Sequence, residues 1–350
     1  MAYTTINKSG DYFNTKLYTG TGSSNAITGV GFQPDWTWIK CRDDTHNHQV
    51  FDAVRGVYKR LRTDTNGAET ESNESLKSFN SDGFTLGTQT NVNQNSSTFA
   101  SWNWKAGTTS GIAAGSQTIT PTGYSINTTS GFGIYAYEGS GGVSNQTISH
   151  GLGKKPSLIL IKRVNSDKDW TMYHNSLGAT KYMELNVTNS VATSNTVWAD
   201  TEPTSSLFTI GTNSQVNANP GDTYIAYAFA EKTGYSKFGS YTGNGNADGT
   251  FVYTGFKPAF YMVKRTDDTG AWIMKDNKRP GYNLNGSYLL ANDSQTEATG
   301  SGNVASDELS NGFKIRGTSS SLNTSGATYI YMAFAEAPLV GSNNVPANAR

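Results

Sequence analysis

The sequence predicts an all-β protein made of three tandem antiparallel β-sandwich repeats, jelly-roll-like and about 100 residues each. Three observations lead to this prediction. The 350 residues are rich in Gly, Ser, Thr and Asn and contain 12% aromatic residues, which suits short strands joined by turns. Four sequence landmarks recur three times in the same order. The best-repeated landmark alternates large and small side chains, as a strand with two different faces does.

Each predicted copy opens with an aromatic residue and two glycines, in the letters YTGTG, YEGSG and YTGNG. A turn and a proline then lead into an apolar strand that ends in a basic residue. A phenylalanine follows 50, 52 and 55 residues after the proline, and a closing strand such as DTYIAYAFAEK comes next. Such spacing indicates related units rather than chance. The landmark residues are Tyr18, Tyr137 and Tyr241; Pro34, Pro156 and Pro258; and Phe84, Phe208 and Phe313.

These landmarks divide the chain into six predicted parts. We expect an N-terminal arm, three repeats with a Gly/Ser/Thr-rich linker after the first, and a C-terminal tail. The linker has the composition of a flexible connection with room for one short strand. The ranges are 1–17 for the arm, 18–106 for repeat 1, 107–131 for the linker, 132–234 for repeat 2, 235–337 for repeat 3 and 338–350 for the tail.

Two local patterns define the interior of each copy. The stretch FDAVRGVYKRL has helical spacing, but the matching stretch of the third copy contains Pro280, so we expect a hairpin, with a short helical turn near Val54 as the alternative. In the closing strands we expect the large face to fill the core and the small face to let another sheet or copy approach closely. The large face holds Trp102, Trp104, Tyr227, Phe229, Met332 and Phe334; the small face holds Ser101, Asn103, Ala226, Ala228 and Ala333.

Charge and cysteine content narrow the function classes. The formal net charge is zero and charged residues make up 15%, so the chain lacks the basic surface typical of nucleic-acid binding. Cys41 is the only cysteine, which excludes an intrachain disulfide or a multi-cysteine metal site. We see no signal peptide and no apolar run of the roughly 18 residues that cross a membrane. We expect synthesis in the cytoplasm and no membrane insertion.

Motifs for catalysis or metal binding are weak. The loop DDTHNH contains Asp43, His46 and His48, weak candidate metal ligands, but a solvated loop is the interpretation that we favour. Glycoside hydrolysis needs two carboxylates opposed across a cleft, whereas Glu231 and Glu336 stand at equivalent places in separate copies, which indicates a structural position. No P-loop or dinucleotide fingerprint occurs. We therefore predict no enzymatic activity, no catalytic residue and no cofactor.

Two sets of residues, one recurring basic set and one set of surface tyrosines, are candidates for glycan or partner contact. A basic pair ends the apolar strand of every copy, and it either meets an anionic ligand or pairs with acids of a neighbouring loop, the reading that we favour. Surface tyrosines offer sugar-stacking faces, with cross-strand packing as the alternative. The candidates are Lys40, Arg42, Lys162, Arg163, Lys264 and Arg265, together with Tyr58, Tyr182 and Tyr288.

The motifs taken together resemble a family of phage proteins. DYFNTKLYTGTGSSNAITGVGFQPDWTWIK, FDAVRG, SFNSDGFTLG, GYSKFGSYTGNG, TGFKPAF and YIYMAFAEAPLVGSNNVPANAR cover essentially the whole chain. The combination is similar to repeat-containing virion structural proteins, described as tail-fibre or tailspike-like, of marine tailed bacteriophages. Each motif is weak alone and specific in combination.

The resemblance implies a non-enzymatic structural protein of the virion, a tail fibre or spike module that is exposed on the particle and contacts the host surface. A capsid decoration, head-fibre or tail adaptor protein with a purely architectural role is the alternative, and a glycan-degrading tailspike ranks third. The implied partners are other virion proteins and a host surface glycan. By analogy with phage fibres the chain could form a homotrimer.

Overall fold

The structure is a computed structural model that describes residues 3–112 and 117–341. It is nearly all β, with several antiparallel sheets, which confirms the predicted fold class. Among the residues described, no helix is long and apolar enough to cross a membrane.

The described part of the first third of the chain contains nine strands and two short helices. They are a 3₁₀ helix at Ser9–Asp11, β1 (Phe13–Thr19), β2 (Asn25–Thr28), β3 (Trp36–Cys41), β4 (Gln49–Asp52), β5 (Lys59–Arg60), β6 (Thr70–Glu71), β7 (Leu76–Asn80), β8 (Gly83–Leu86), α1 (Thr90–Asn93) and β9 (Thr98–Trp104).

The middle and last thirds follow a similar succession of elements. The middle third contains β10 (Gly123–Asn127), β11 (Phe132–Glu138), β12 (Gln146–Ser149), β13 (Leu158–Arg163), β14 (Thr171–His174), β15 (Lys181–Glu184), β16 (Ala192–Thr193), α2 (Asn195–Trp198), β17 (Leu207–Ile210) and β18 (Thr223–Phe229). The last third contains β19 (Ser236–Thr242), β20 (Phe251–Tyr253), β21 (Phe256–Arg265), β22 (Ile273–Asp276), β23 (Leu289–Leu290), a 3₁₀ helix at Gly302–Val304, β24 (Ser306–Leu309), β25 (Gly312–Ile315) and β26 (Thr328–Pro338).

Three large antiparallel sheets share a common strand order. Large sheet 1 is ordered β1-β9-β3-β4, large sheet 2 is β10-β11-β18-β13-β14-β15-β16, and large sheet 3 is β19-β26-β21-β22-β23. In each sheet the predicted closing strand lies between the opening strand and the strand that follows the proline landmark. The closing strands are therefore paired on both sides, which suits their apolar character. The division into three tandem repeats remains a prediction from the sequence.

Small sheets cover the small-residue faces of the closing strands. They are small sheet 1 (β2-β8-β7), small sheet 2 (β12-β17) and small sheet 3 (β20-β25-β24). Ala226 and Ala228 of β18 share a buried cluster with Phe208 and Ile210 of β17. The short side chains thus let a small sheet lie against the large one, as expected for a sandwich.

The large faces of the closing strands meet in one core that includes residues of all three large sheets. Trp36 stacks on Tyr227 with ring centroids 4.8 Å apart, and Phe13 stacks on Phe334 at 5.2 Å. Phe229 meets Phe334 edge-on at 5.6 Å. Each of the three large sheets therefore buries its aromatic face against the other two, and this core lies between the large sheets.

The opening landmark is explained by contacts inside each sandwich. The three landmark tyrosines donate hydrogen bonds to backbone carbonyls, Tyr18 to Val92 O at 2.7 Å and the other two to equivalent carbonyls at 2.8 Å. The glycine two residues later packs against backbone: a Cβ on Gly20 would lie 2.1 Å from Gln94 O. The repeated Tyr-x-Gly pattern thus connects the opening strand to the turn before the closing strand, through a hydrogen bond and close backbone packing.

Four further predictions concern the hairpin near Val54, the N-terminal arm, the linker and the C-terminal tail. Val50 and Leu61 exchange backbone hydrogen bonds of 2.8 and 3.1 Å, so the predicted hairpin forms. The alternative, a short helical turn near Val54, is present inside it as one backbone bond from Gly56 N to Asp52 O at 3.1 Å. β1 begins at Phe13, inside the stretch predicted as an arm, because its residues pair with β9 along their whole length. β10 lies within the predicted linker and pairs with β11, so residues 123–127 extend large sheet 2. Of the predicted tail, residues 342–350 lie outside the described residues.

Candidate functional site

The three predicted contact lysines are buried and bonded to backbone carbonyls, those of their own loops and, for Lys264, also Thr188 O at 3.3 Å. The Nζ of Lys40, which is 0% exposed, donates to Cys41 O at 2.6 Å and to Asp44 O at 3.1 Å. Lys162 and Lys264 bond the following arginine's carbonyl at 2.7 Å in the same way. Burial lowers the pKa of both to about 8. These lysines close the turn after the strand, and their buried amino groups are not exposed to a ligand. The structure therefore corrects the prediction that they contact a glycan.

The neighbouring arginines are held by carboxylates. Arg42 Nε lies 2.5 Å from Glu297 Oε2, which joins large sheet 1 to the loop that follows β23. Arg163 pairs with Asp222, and Arg265 Nε lies 2.9 Å from Asp267 Oδ1. The arginines thus meet acids of nearby loops, as in the favoured interpretation, whereas the lysines bond to backbone carbonyls.

The predicted tyrosine platforms are half-buried. Tyr58 has a φ of 72°, the left-handed region, at the turn of its hairpin. Tyr182 and Tyr288 pack against the cores of the second and third sandwiches. Exposed aromatic faces occur elsewhere, on Phe251, Tyr253 and Tyr282, which are not among the candidates predicted from the sequence. Landmark comparison favours repeated positions, and these aromatic residues are not repeated.

The candidate metal ligands have other partners. His48 accepts a hydrogen bond from Trp38 Nε1 on Nδ1 at 2.8 Å, so its Nε2 carries the proton and donates to Leu290 O at 2.9 Å. His46 contacts the side chain of Gln94, and Asp43 accepts from the backbone N–H of Thr98 at 2.8 Å. In the described ranges, no group of three or more His, Cys, Asp or Glu could hold a metal ion.

A ring of three hydrogen bonds links the large sheets. The His48 bond just described joins sheet 1 to Leu290 of sheet 3. Trp170, which precedes β14 of sheet 2, donates from Nε1 at 2.7 Å to the carbonyl of Arg62, the residue after Leu61, which bridges to Val50 of sheet 1. Trp272, which precedes β22 of sheet 3, donates to Glu184 O of sheet 2 at 3.1 Å. The three donors His48, Trp170 and Trp272 come directly before β4, β14 and β22. The contacts run from sheet 1 to 3, 3 to 2 and 2 to 1, so they form a closed circuit.

A second set of bonds involves the last residues of β4, β14 and β22. Tyr227 OH donates to Asp52 Oδ2 at 2.7 Å, and Trp102 Nε1 donates to Asp276 Oδ2 at 3.1 Å. Each aspartate also binds the guanidinium three residues later, Arg55 Nε at 2.5 Å and Arg279 Nε at 2.6 Å. The paired arginine and the aromatic donor compensate the buried carboxylates, as buried charge requires.

The third junction replaces the aspartate by His174. Its Nδ1 accepts from Ser176 N at 3.2 Å, so Nε2 donates to Tyr331 O of large sheet 3 at 3.1 Å. Burial lowers the pKa of His174 to about 4, which keeps the ring neutral at pH 7. Two junctions are therefore ionic and one is neutral.

One buried polar cluster lies inside the third sandwich. Glu308 accepts from Tyr261 OH at 3.0 Å and Asn285 Nδ2 at 2.9 Å, and Lys275 Nζ donates to Asn285 O at 2.6 Å. Burial raises the pKa of Glu308 and lowers that of Lys275 to about 7. Both side chains have protein partners and are buried, so the cluster supports the sandwich rather than presenting a reactive group.

Surface grooves mark each place where a hairpin turn meets the edge of the next sheet. The groove between sheets 2 and 3 has a volume of about 480 Å³ and is lined by Leu177, Lys181 and Asp267, among others. Grooves of about 390 and 260 Å³ occupy the other two junctions. The junctions thus repeat in shape as well as in bonding.

Comparison with known proteins gives a family but no activity. No curated protein and no solved structure is significantly similar to the chain. A family model described as a domain of unknown function (DUF7483) matches residues 8–338, which include all three large sheets. The chain therefore belongs to the DUF7483 family.

Proposed function

We propose that this chain is a non-enzymatic structural module of a bacteriophage particle, exposed on the particle as part of a tail fibre or spike and contacting the host surface. The observation that carries the architectural part is the circuit of buried bonds among the three large sheets. Its buried histidine and tryptophan donors join sheets to each other. A module closed in this way keeps its loops in fixed positions, which suits display.

The virion assignment comes from the sequence resemblance, and composition agrees with it. With no net charge and 15% charged residues, binding to a host in saline water would depend little on electrostatic attraction, which salt screens. Other virion proteins and a host surface glycan are the proposed partners. The candidate acids Glu231 and Glu336 pair with Lys237 and Lys257, at 3.3 and 3.6 Å, which is consistent with a structural rather than hydrolytic role.

The test of location is immunogold labelling of purified phage particles with antibodies against the chain. Label on the tail supports the proposal. Label spread over the capsid lattice would instead favour the decoration or head-fibre alternative, and absence of the chain from particles would overturn both.

The test of adhesion is binding of the purified, fluorescently labelled chain to host cells. We expect binding that free host surface polysaccharide abolishes, with no shortening of that polysaccharide after long incubation. Saturable binding without competition would contradict a glycan receptor, and shortened chains would contradict the non-enzymatic assignment.

A further inference from the structure

Two exposed aromatic side chains stand side by side on β20. Phe251 is 42% exposed and Tyr253 is 52% exposed, whereas Val252 between them is 4% exposed. Alternate residues of a strand point to the same face, so both rings lie on the outer face of small sheet 3. Large aromatic residues in the open cost solvation free energy, and neighbouring ones on one face mark a binding surface.

The equivalent strands lack these aromatic residues. Register identifies the equivalence, because Val252, Ile27 and Ile148 each pair with the landmark phenylalanine of the adjacent strand. Ala26 and Thr28 flank Ile27, and both are exposed. Thr147 and Ser149 flank Ile148. The sandwich architecture therefore does not require rings at these positions, and their presence in small sheet 3 needs a separate cause.

The two rings are held in place from below. A Cβ on Gly312 would lie 3.2 Å from Phe251 Cε2, so the Phe251 ring lies over the bare backbone of β25. Tyr3 OH donates to Gly255 O at 2.7 Å. A Cβ on Gly255 would lie 2.5 Å from the hydroxyl of Tyr3 and 3.6 Å from that of Tyr253, so the two phenols meet there. These contacts restrict the two rings before a ligand binds, so binding costs less side-chain conformational entropy.

Balanced charges border the rings. Lys314, which faces Phe251 across the strand pair, lies 2.6 Å from Asp248 Oδ1. Arg316 lies 3.3 Å from both Asp248 and Asp307. Two acids and two bases cancel, so this border does not select a charged ligand. Asp248 is 75% exposed and Arg316 39%, so both donors and acceptors remain accessible to hydroxyl groups.

We propose that Phe251 and Tyr253, with the border formed by Asp248, Asp307, Lys314 and Arg316, form a binding site for a neutral saccharide. The apolar C–H face of a pyranose ring would lie on the aromatic rings, and its hydroxyls would bond to the charged border. This inference rests on the proposed function, since it names the class of host-surface ligand. A second copy of the chain is a poorer occupant, because a three-residue strand offers far less than the roughly 800 Å² per partner that stable interfaces bury.

The test is the double variant Phe251→Ala, Tyr253→Thr, which installs the side chains of β2 at both positions. The probes are three immobilised neutral polysaccharides, laminarin, dextran and agarose, and binding is measured by biolayer interferometry. We expect the wild type to bind at least one of them and the double variant to bind at least about tenfold more weakly, a typical loss for buried aromatic contacts. Val143→Ala, which trims a side chain 52% exposed in the second sandwich, serves as the matched control and keeps wild-type binding.

Several results would overturn the site. They are an absence of wild-type binding to all three polysaccharides, equal binding by the double variant, or light scattering that shows a wild-type dimer which the double variant loses. An unchanged melting temperature of the double variant shows that the fold is intact. Host-cell adhesion that survives the double variant would remove this site and leave the proposed function standing. Polysaccharide binding without host-cell adhesion would leave this site standing and contradict the proposed function.

Discussion

The hydroxyl of Tyr227 gives the sharpest test of the junction between large sheets 1 and 2. Tyr227→Phe removes only the oxygen that donates to Asp52 at 2.7 Å, and both residues are fully buried. A hydrogen bond to a charged group contributes about 1.5–3 kcal/mol. Asp52 keeps its bond to Arg55, so we expect a loss of about 2 kcal/mol in the free energy of unfolding.

The matched control is Tyr137→Phe. Tyr137 is also buried and donates at 2.8 Å, but to the neutral carbonyl of Val216 inside its own sandwich. Such a bond contributes about 0.5–1.5 kcal/mol. Guanidinium-induced unfolding, followed by tryptophan fluorescence, compares the two variants. If Tyr227→Phe costs no more than Tyr137→Phe, the idea that a charged buried bond fastens sheets 1 and 2 is wrong.

Three further changes probe the other contacts. The pKa of His174 falls to about 4 on folding from an ordinary value of 6.5, so the unfolded state binds more protons between these values. Stability should therefore fall by up to roughly 3 kcal/mol from this residue as the pH drops from 6.5 to 4, and His174→Gln should flatten that dependence of the denaturation midpoint; an unchanged slope would contradict it. Glu297→Gln should cost about 1–3 kcal/mol because its carboxylate is 4% exposed, whereas Lys8→Gln, in a pair 78% exposed at the lysine, should cost under about 0.5; equal midpoints would refute the comparison. Gly243→Ala places a Cβ 2.3 Å from a backbone carbonyl and should cost about 1–3 kcal/mol, whereas Gly302→Ala has open space and should be nearly neutral, as thermal melts would show.

The sequence predicts local structure well where one segment carries the whole signal. Alternation in the closing strands identified Trp102 and Tyr227 as core residues, and both are fully buried. Repetition also identified the hairpin around Val54 against its helical spacing, because Pro280 in a matching stretch excluded a helix. These predictions use only the conformational restrictions of neighbouring residues and the comparison of segments within the same chain.

The remaining features depend on contacts across long sequence distances. Nothing near Tyr227 indicates that its hydroxyl meets Asp52, 175 residues away, or that Trp102 meets Asp276. The buried Asn217 accepts from Ser140 N at 2.8 Å and donates to Gly211 O at 3.0 Å, but nothing in the Asn-rich sequence around it indicates burial. Its counterparts Asn93 and Asn323 occupy the same position before the closing strand, so a search for repeated polar residues could have found all three.

The contacts described above fasten three sandwiches into one unit around a shared core. Differential scanning calorimetry of the full chain tests it most directly, because one cooperative unit gives a single transition with equal calorimetric and van't Hoff enthalpies. We predict one such transition, which Tyr227→Phe moves as a whole to lower temperature. Two or three separate transitions, with only one of them moved by that substitution, would show that the sandwiches unfold independently and would contradict the claim.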